Sequence, residues 1–307
     1  MGAVAVAGAC LAACSAAPAP RSGPVQGPGT STTASHSGGR APTSSTSTSA
    51  ATGTGREGIP AFSHLFVVVM ENEERQGALA TPQVATLARR YASAGDWYAV
   101  AHPSLPNYLA LFSGSTHGIR DDGRYDLSGP NLASSLISAG LTFAGYSEDL
   151  PALGFRGDSH RGYVRKHAPW ASFTNVPDTV NRPLADFPAG DFTALPTVSF
   201  VIPTLSDDMH DGSVAQGDQW LRTHVEAYAR WAVSHNSLLI VTFDEGPVFP
   251  APADTRIATI MVGAHVRTGT SDQRITHYSI LRTLEDFYGL PPIGEDQSAS
   301  TITGIWN

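Results

Sequence analysis

Five short runs of almost unbroken apolar residues limit what this chain can fold into: HLFVVVM (64–70), LTFAGY (141–146), TVSFVI (197–202), SLLIVTF (237–243) and ATIMVGA (258–264). A strand with one wet face alternates apolar and polar side chains, and these runs do not. Their length and β-branched content predict strands buried on both faces, as in a parallel sheet. Between them, apolar residues recur at spacings of three and four. That period predicts helices over 82–95, 105–114, 131–140, 213–235 and 277–289, the second and third ending at glycines suited to a C-cap. Strands alternating with helices define an α/β fold, doubly wound, with a mostly parallel sheet and helices on both faces.

The ends of those runs carry the chemistry. Glu71-Asn72 follows the first run, Glu148-Asp149 the second, Asp207-Asp208-Met209-His210-Asp211 the third and Asp244-Glu245 the fourth. In an open parallel sheet, ligands bind outside the carboxyl ends of the strands. Glu71, Asn72, Asp244 and Glu245, converging there, would repel one another without a cation among them. Oxygen donors without a thiolate select a hard divalent ion, Mg²⁺, Ca²⁺ or Mn²⁺, with Zn²⁺ or Fe admitted if a histidine joins. The competing reading of any single pair is a solvated turn.

HPSLPNY (102–108) poses a second choice. Ser104 stands where the helix 105–114 begins, and a serine there can serve as an N-cap. The same position would also present its hydroxyl to a phosphate, because backbone N–H groups and the dipole at a helix start favour anions. A metal on its oxygen would activate it as a nucleophile, and Asn107 could then turn its amide toward phosphoryl oxygens. The spacing leaves both readings open.

Composition narrows the partners. The 307 residues are enough for one large α/β domain or two small ones, and 41% are hydrophobic against 15% charged. A net charge of −8 lacks the basic face that a nucleic-acid backbone requires. Both cysteines, Cys10 and Cys14, lie at the very start, so the rest of the chain has neither a disulfide nor a thiolate metal site. Residues 1–14 form an apolar run too short to cross a bilayer and read as a signal sequence. LAAC, ending at Cys14, has the form of a bacterial lipobox, although no Lys or Arg precedes it. Lipidation there would give a cell-surface lipoprotein, and ordinary cleavage a secreted protein. Residues 15–58 are Ser, Thr, Pro, Gly and Ala with almost no large apolar side chain, which reads as a disordered linker, leaving 59–307 as the catalytic domain.

HLFVVVMEN, HPSLPNYLALFSG, RKHAPW, FVIPTLSDDMHDGSVAQGDQWL, LLIVTFDEG and HYSILRTLEDFYGLP together resemble the bacterial phosphoesterase family of acid phosphatases and phospholipases C, within the alkaline phosphatase superfamily. The likeness runs from about residue 60 to residue 305. It implies an exported, metal-dependent acid phosphatase that hydrolyses phosphate monoesters through a phosphoseryl intermediate. Ser104 would be the nucleophile and a metal ligand beside Glu71, Asn72, Asp244 and Glu245. His102, His210 and His277 would line the phosphate site. There a protonated imidazole, with an ordinary pKa of about 6.5, neutralises phosphate and protonates the leaving alcohol, in keeping with an acidic optimum. Asp208 and Asp211 would orient these histidines or contact the metal. Lys166, the one lysine in the chain, and His167 would approach the phosphate or its leaving group.

The substrate so implied is a small phosphorylated compound or a phospholipid head group. Two alternatives stand beside it: a phospholipase C-like phosphodiesterase, and a surface-tethered phosphoryl-ligand binding protein without turnover. The stretch GPVFPAPADTR after Glu245 departs from the acidic run of the family and puts a second metal in question. No leaving-group pocket is legible in the segment 118–130. His117, His160, His224, His235 and His265 are expected outside the site, and Trp220 and Trp231 in the core.

Overall fold

In the computed structural model, which describes residues 58–247 and 256–307, each of the five apolar runs becomes a strand. The signal sequence, the lipobox, all of the linker but its last residue and most of the loop after Glu245 lie outside the described residues. The chain begins with β1 (His64–Met70), α1 (Arg75–Leu79), α2 (Pro82–Arg90), β2 (Ala92–Ala94), β3 (Trp97–Tyr98) and α3 (Ser104–Ser113). It continues through α4 (Leu132–Ser138), β4 (Phe143–Ser147), β5 (Ser159–His160), β6 (Tyr163–Val164), β7 (Asn181–Pro183) and β8 (Val198–Ile202). The last part holds α5 (Val214–His224), α6 (Glu226–Ala232), β9 (Ser237–Phe243), β10 (Thr259–Gly263), β11 (Gly269–Ser271), β12 (Ile275–Thr276) and α7 (His277–Tyr288).

The main sheet has the order β11-β2-β10-β9-β1-β8-β4-β7. β1 lies in its middle, parallel to β8 on one side and β9 on the other, with Val67 opposite Phe200 and Ile240. All seven residues of β9 and all five of β8 are buried, as unbroken apolar runs require. β10 is antiparallel to both β9 and β2, so the parallel part of the sheet stops at β9 on that side. Its run looks like the others because hydropathy reports burial and carries no information on direction.

Two helices are shorter than their sequence period suggests. α2 ends at Arg90, and Ala92–Ala94 form a strand between β10 and β11 instead. The predicted helix 213–235 is divided at Val225, whose φ of −109° and ψ of −30° loosen the turn between α5 and α6 while its N–H still reaches the Leu221 carbonyl. α3 is buried at every one of its ten positions and packs against α7. It ends at Gly114, whose φ of +66° makes the left-handed C-cap; a Cβ there would also strike the Ile293 carbonyl oxygen at 2.2 Å. Trp220 is buried, and Trp231 packs half-buried against the core. His224 and His235 are exposed, each stacked on one of those rings.

Candidate active site

Register explains why the acids meet. Met70 pairs with Phe243, so Glu71 and Asp244, the first residues past β1 and β9, leave the sheet side by side. Asn72 turns the chain away with φ +51°, a left-handed conformation that asparagine tolerates better than most residues. Its N–H donates to Asp244 Oδ1 at 3.2 Å, as does Glu245 N–H at 2.6 Å. Asp208 arrives on the loop after β8, its carbonyl accepting Glu71 N–H at 2.8 Å. His167 enters from the 3₁₀ turn Arg165–His167. Its Nε2 is 3.1 Å from Glu71 Oε1 and its Nδ1 3.3 Å from Asp208 Oδ2. Both approaches are out of line for a hydrogen bond, leaving the two ring nitrogens and Asp208 Oδ2 without partners.

Burial dominates the electrostatics. Glu71, Asp208, Asp244 and Glu245 are each at most 1% exposed. Desolvation, then the neighbouring Asp244 and Asp208, holds the Glu71 carboxyl well above its ordinary range. Desolvation pushes Asp208 and Asp244 up to about 7. Glu245 rises to about 9, through desolvation and then the charges of Asp244 and Asp122. His167 is driven well below its ordinary value, first by burial and then by Lys166 and His210. Burial thus disfavours charge on these acids and on the imidazole alike, and a cation among them would favour the carboxylates.

Ser104 is the first residue of α3, and the N-cap position belongs to Pro103. The capping reading of Ser104 gives way for that reason. Its Oγ donates instead to Glu71 Oε2 at 3.1 Å. Tyr108, one helical turn on, donates to Glu71 Oε1 at 2.6 Å and stacks on the His167 ring at 4.9 Å between centroids. Asn107 departs from expectation. Its Oδ1 accepts from the Val100 and Ala101 amides, and its Nδ2 donates to the Ala101 carbonyl and to Glu245 Oε2. Fully engaged and 1% exposed, it fixes the approach to α3 and has no amide proton left for a phosphoryl oxygen.

The histidines divide. His102, joined to Pro103 by a cis peptide bond, has a half-exposed side chain with Nδ1 2.6 Å from Glu245 Oε2. Partial burial lowers His102, while desolvation raises Glu245. His210 sits at the rim, Nδ1 2.8 Å from Asp211 Oδ1, with its backbone N–H on Asp208 Oδ1. His277 is placed differently from the phosphate-lining position expected of it. It is 1% exposed, its Nε2 lies 2.5 Å from the Asp244 carbonyl oxygen, and burial pushes it down to about 4. It braces the strand end as a neutral ring.

Lys166 Nζ donates at 2.7 Å to Asp122 Oδ2, whose other oxygen accepts the Leu105 N–H at 3.0 Å. Tyr108 and Asp122 were invisible to the sequence reading. Tyr108 carried one signal, its i+4 spacing from Ser104. Asp122 carried none, since no apolar run precedes it.

The donor set fits a divalent ion. Glu71, His167 and Asp208 each offer a ligand atom within 4.8 Å of the others. Asp208 Oδ2 and Asp244 Oδ2 are buried without partners, an arrangement costly for carboxylates unless a cation joins them. Asp208 stands beside Glu71 in keeping with the metal contact expected of it, and His167 joins the expected ligands. The contacts of Asn72 and Glu245 engage the Asn72 Nδ2, which donates to Glu71, and one Glu245 oxygen, Oε2, bound by His102 and Asn107; the Asn72 Oδ1 that would face an ion is not used by them.

Serine, carboxylates and imidazoles at the carboxyl edge of this α/β sheet are parts that phosphoryl transfer uses, and comparison with known proteins agrees. The fold matches a protein of the alkaline phosphatase superfamily from Vibrio parahaemolyticus with a TM-score of 0.55 and 13% identity, covering 80% of this chain and 71% of that one. The sequence is 47% identical over 254 residues to the phosphatidylinositol-3-phosphatase of Mycobacterium tuberculosis, covering 81% of this chain and 84% of its relative. It is 28% identical over 255 residues to a phosphate-repressible acid phosphatase of Penicillium chrysogenum, covering 76% of this chain and 61% of that protein. Residues 68–291 match the phosphoesterase family, and the chain belongs to it.

Proposed function

We propose that this chain is an exported, metal-dependent acid phosphatase that hydrolyses phosphate monoesters through a phosphoseryl intermediate on Ser104. The observation that carries the reading is the Ser104 hydroxyl at the first position of α3, donating to buried Glu71 within a carboxylate cluster that has oxygens to spare. Glu71, Asp208, Asp244 and His167 would hold the ion. When bound, a divalent ion supplies charge to neutralise these carboxylates and lowers the pKa of a neighbouring hydroxyl.

Ser104 Oγ attacks phosphorus as its proton passes toward Glu71. The new Oγ–P bond replaces the bond from phosphorus to the leaving alcohol. Lys166 faces the phosphoryl charge. His102 or His210, the imidazoles that reach solvent, returns a proton to the departing oxygen, and water then cleaves the phosphoserine. Given the name of its Mycobacterium tuberculosis relative, a phosphoinositide monoester head group is the substrate to try first. Export rests on residues 1–14 and is tested by fractionating cells.

The activity test compares p-nitrophenyl phosphate with bis-p-nitrophenyl phosphate between pH 5 and 8, with and without chelator. Release from the monoester, suppressed by chelator and by Ser104→Ala, is expected. Preference for the diester would move the chain to the phosphodiesterase class, and no release from either would end the enzyme reading.

A further inference from the structure

The N-terminus of α3 has few free donors. A helix start normally leaves four N–H groups without intrahelical partners. Here two of those positions are Pro103 and Pro106, which have no N–H, so only the Ser104 and Leu105 amides remain. The Leu105 N–H is taken by Asp122 Oδ1 at 3.0 Å, and Asp122 Oδ2 takes Lys166 Nζ at 2.7 Å. A carboxylate thus bridges one amide of the Ser104 helix and the one lysine of the chain. These are the donors that a phosphoryl group presented to Ser104 would need.

The placement is otherwise poor for an acid. The charge of Asp122 is felt at Glu245 and at His167, so it adds a negative charge to the edge of an already acidic cluster. It is also within reach of solvent. Residues 120–124 are exposed, and the Asp122 side chain keeps 31% of its surface in solvent. The loop is pinned on either side: the Gly114 carbonyl accepts Glu295 N–H, and Leu127 exchanges backbone hydrogen bonds with Ser172 and Thr174. Asp122 itself lines a cavity of about 280 Å³ together with Gly123, Arg124, Asp158, Arg165 and Lys166, which leaves the carboxylate room to turn.

We infer that Asp122 is a built-in competitor of the substrate, a carboxylate seated on the donors of the phosphoryl group and displaced when phosphate binds. This rests on the phosphatase reading above. Apparent affinity is then reduced by the fraction of molecules in which Asp122 is seated, so a carboxylate seated nine-tenths of the time weakens phosphate about tenfold. The residue sets how readily the site admits a phosphate anion, substrate and product alike.

The experiment measures inorganic phosphate binding by calorimetry to the Ser104→Ala chain, which lacks the proposed nucleophile, and to Ser104→Ala carrying Asp122→Asn. Steady-state constants of the single Asp122→Asn variant accompany it. Asparagine keeps the size and an acceptor for Leu105 N–H but loses the charge, and Asp122→Ala repeats the test should the amide find a new partner. The expected result is phosphate bound about tenfold more tightly, with KM and the inhibition constant for phosphate falling together. Asp121→Asn removes the same charge from the neighbouring residue, whose carboxylate is held by Gly123 and Tyr125, and should leave binding unchanged. Equal tightening in Asp121→Asn would reduce the effect to long-range field and overturn the inference. Unchanged or weaker binding in Asp122→Asn, with the parent chain active on monoesters, overturns the inference alone. Absence of phosphate binding together with absence of monoesterase activity overturns it along with the phosphatase reading.

Discussion

α7 joins two buried groups of acids. At its start, His277 braces the cluster of Glu71, Asp208, Asp244 and Glu245 through the Asp244 carbonyl. Near its end, Glu285 meets Asp296 of the following 3₁₀ turn, both 0% exposed and with four oxygens that have no well-aligned partner. Both groups respond to burial in the same direction. Glu285 is pushed up to about 10 by desolvation and then by Asp296, as Glu245 is pushed up to about 9. The surroundings differ. The Glu285–Asp296 pair feels the charge of Arg282, which is itself paired with Asp286, and each carboxyl has the other with which to share a proton. The cluster at the sheet edge has an imidazole, a serine hydroxyl and a lysine around it, and a donor set that fits an ion. Buried acids alone mark a strained spot; acids beside a hydroxyl and unpartnered ring nitrogens mark a reaction site.

The widest separation between the two groups should appear in turnover. Ser104→Ala should lower monoester hydrolysis at least about a thousandfold, the scale seen when a nucleophile is removed, while Glu285→Gln stays within about twofold of the parent. Similar losses in both would erase the distinction. Metal content separates them next. Glu71→Ala should lose the divalent metal that the parent retains through dialysis, and Glu285→Ala should keep it, read by elemental analysis of the purified proteins. Metal loss from Glu285→Ala would place the ion in the wrong group.

Tyr108→Phe sharpens the comparison within the site. It removes a hydrogen bond to a charged group, an effect of about 1.5–3 kcal/mol, so kcat should fall about ten- to a hundredfold with KM little changed. An unaltered kcat would show that Glu71 does not need that partner. The smallest effect is on stability. A carboxyl whose folded pKa is raised favours the folded state below its ordinary value, and that contribution is lost as pH climbs toward the folded value. For Glu285 the window runs from 4.5 upward to about 10. Glu285→Gln has no such proton to lose, so its melting temperature should drop less than the parent's between pH 5 and pH 9, by a few degrees. Parallel curves would remove the proton-sharing account.

Most of the sheet was legible because burial on both faces leaves an unbroken run. β1 and β9 fall on the segments read from sequence, and acids follow both. Direction was not legible: β10 carries the same pattern as its parallel neighbours. Nor was the division at Val225, where α5 and α6 share one apolar stripe across a residue whose backbone is only loosened within the helical region. At the site, residues adjacent to strand ends were found because register brings them together. Asn107 was assigned to the substrate because sequence shows its amide but not the Val100 and Ala101 backbone that consumes it. His167 was read as a phosphate contact, although the turn of residues 165–167 carries it into the carboxylates. Asp122 depends on how the chain between α3 and α4 folds back, and no local pattern encodes that.

A helix with no solvent face has little freedom to diverge. Each of the ten side chains of α3 presses on the core, so enlarging or trimming one would typically cost about 1–5 kcal/mol wherever the neighbours could not yield. The Ser104 hydroxyl, the proposed nucleophile, is in effect bolted to the protein's least adjustable part. On that proposal, new substrate preferences would have to arise in the exposed chain around residues 120–124, where a substitution leaves Ser104 in place.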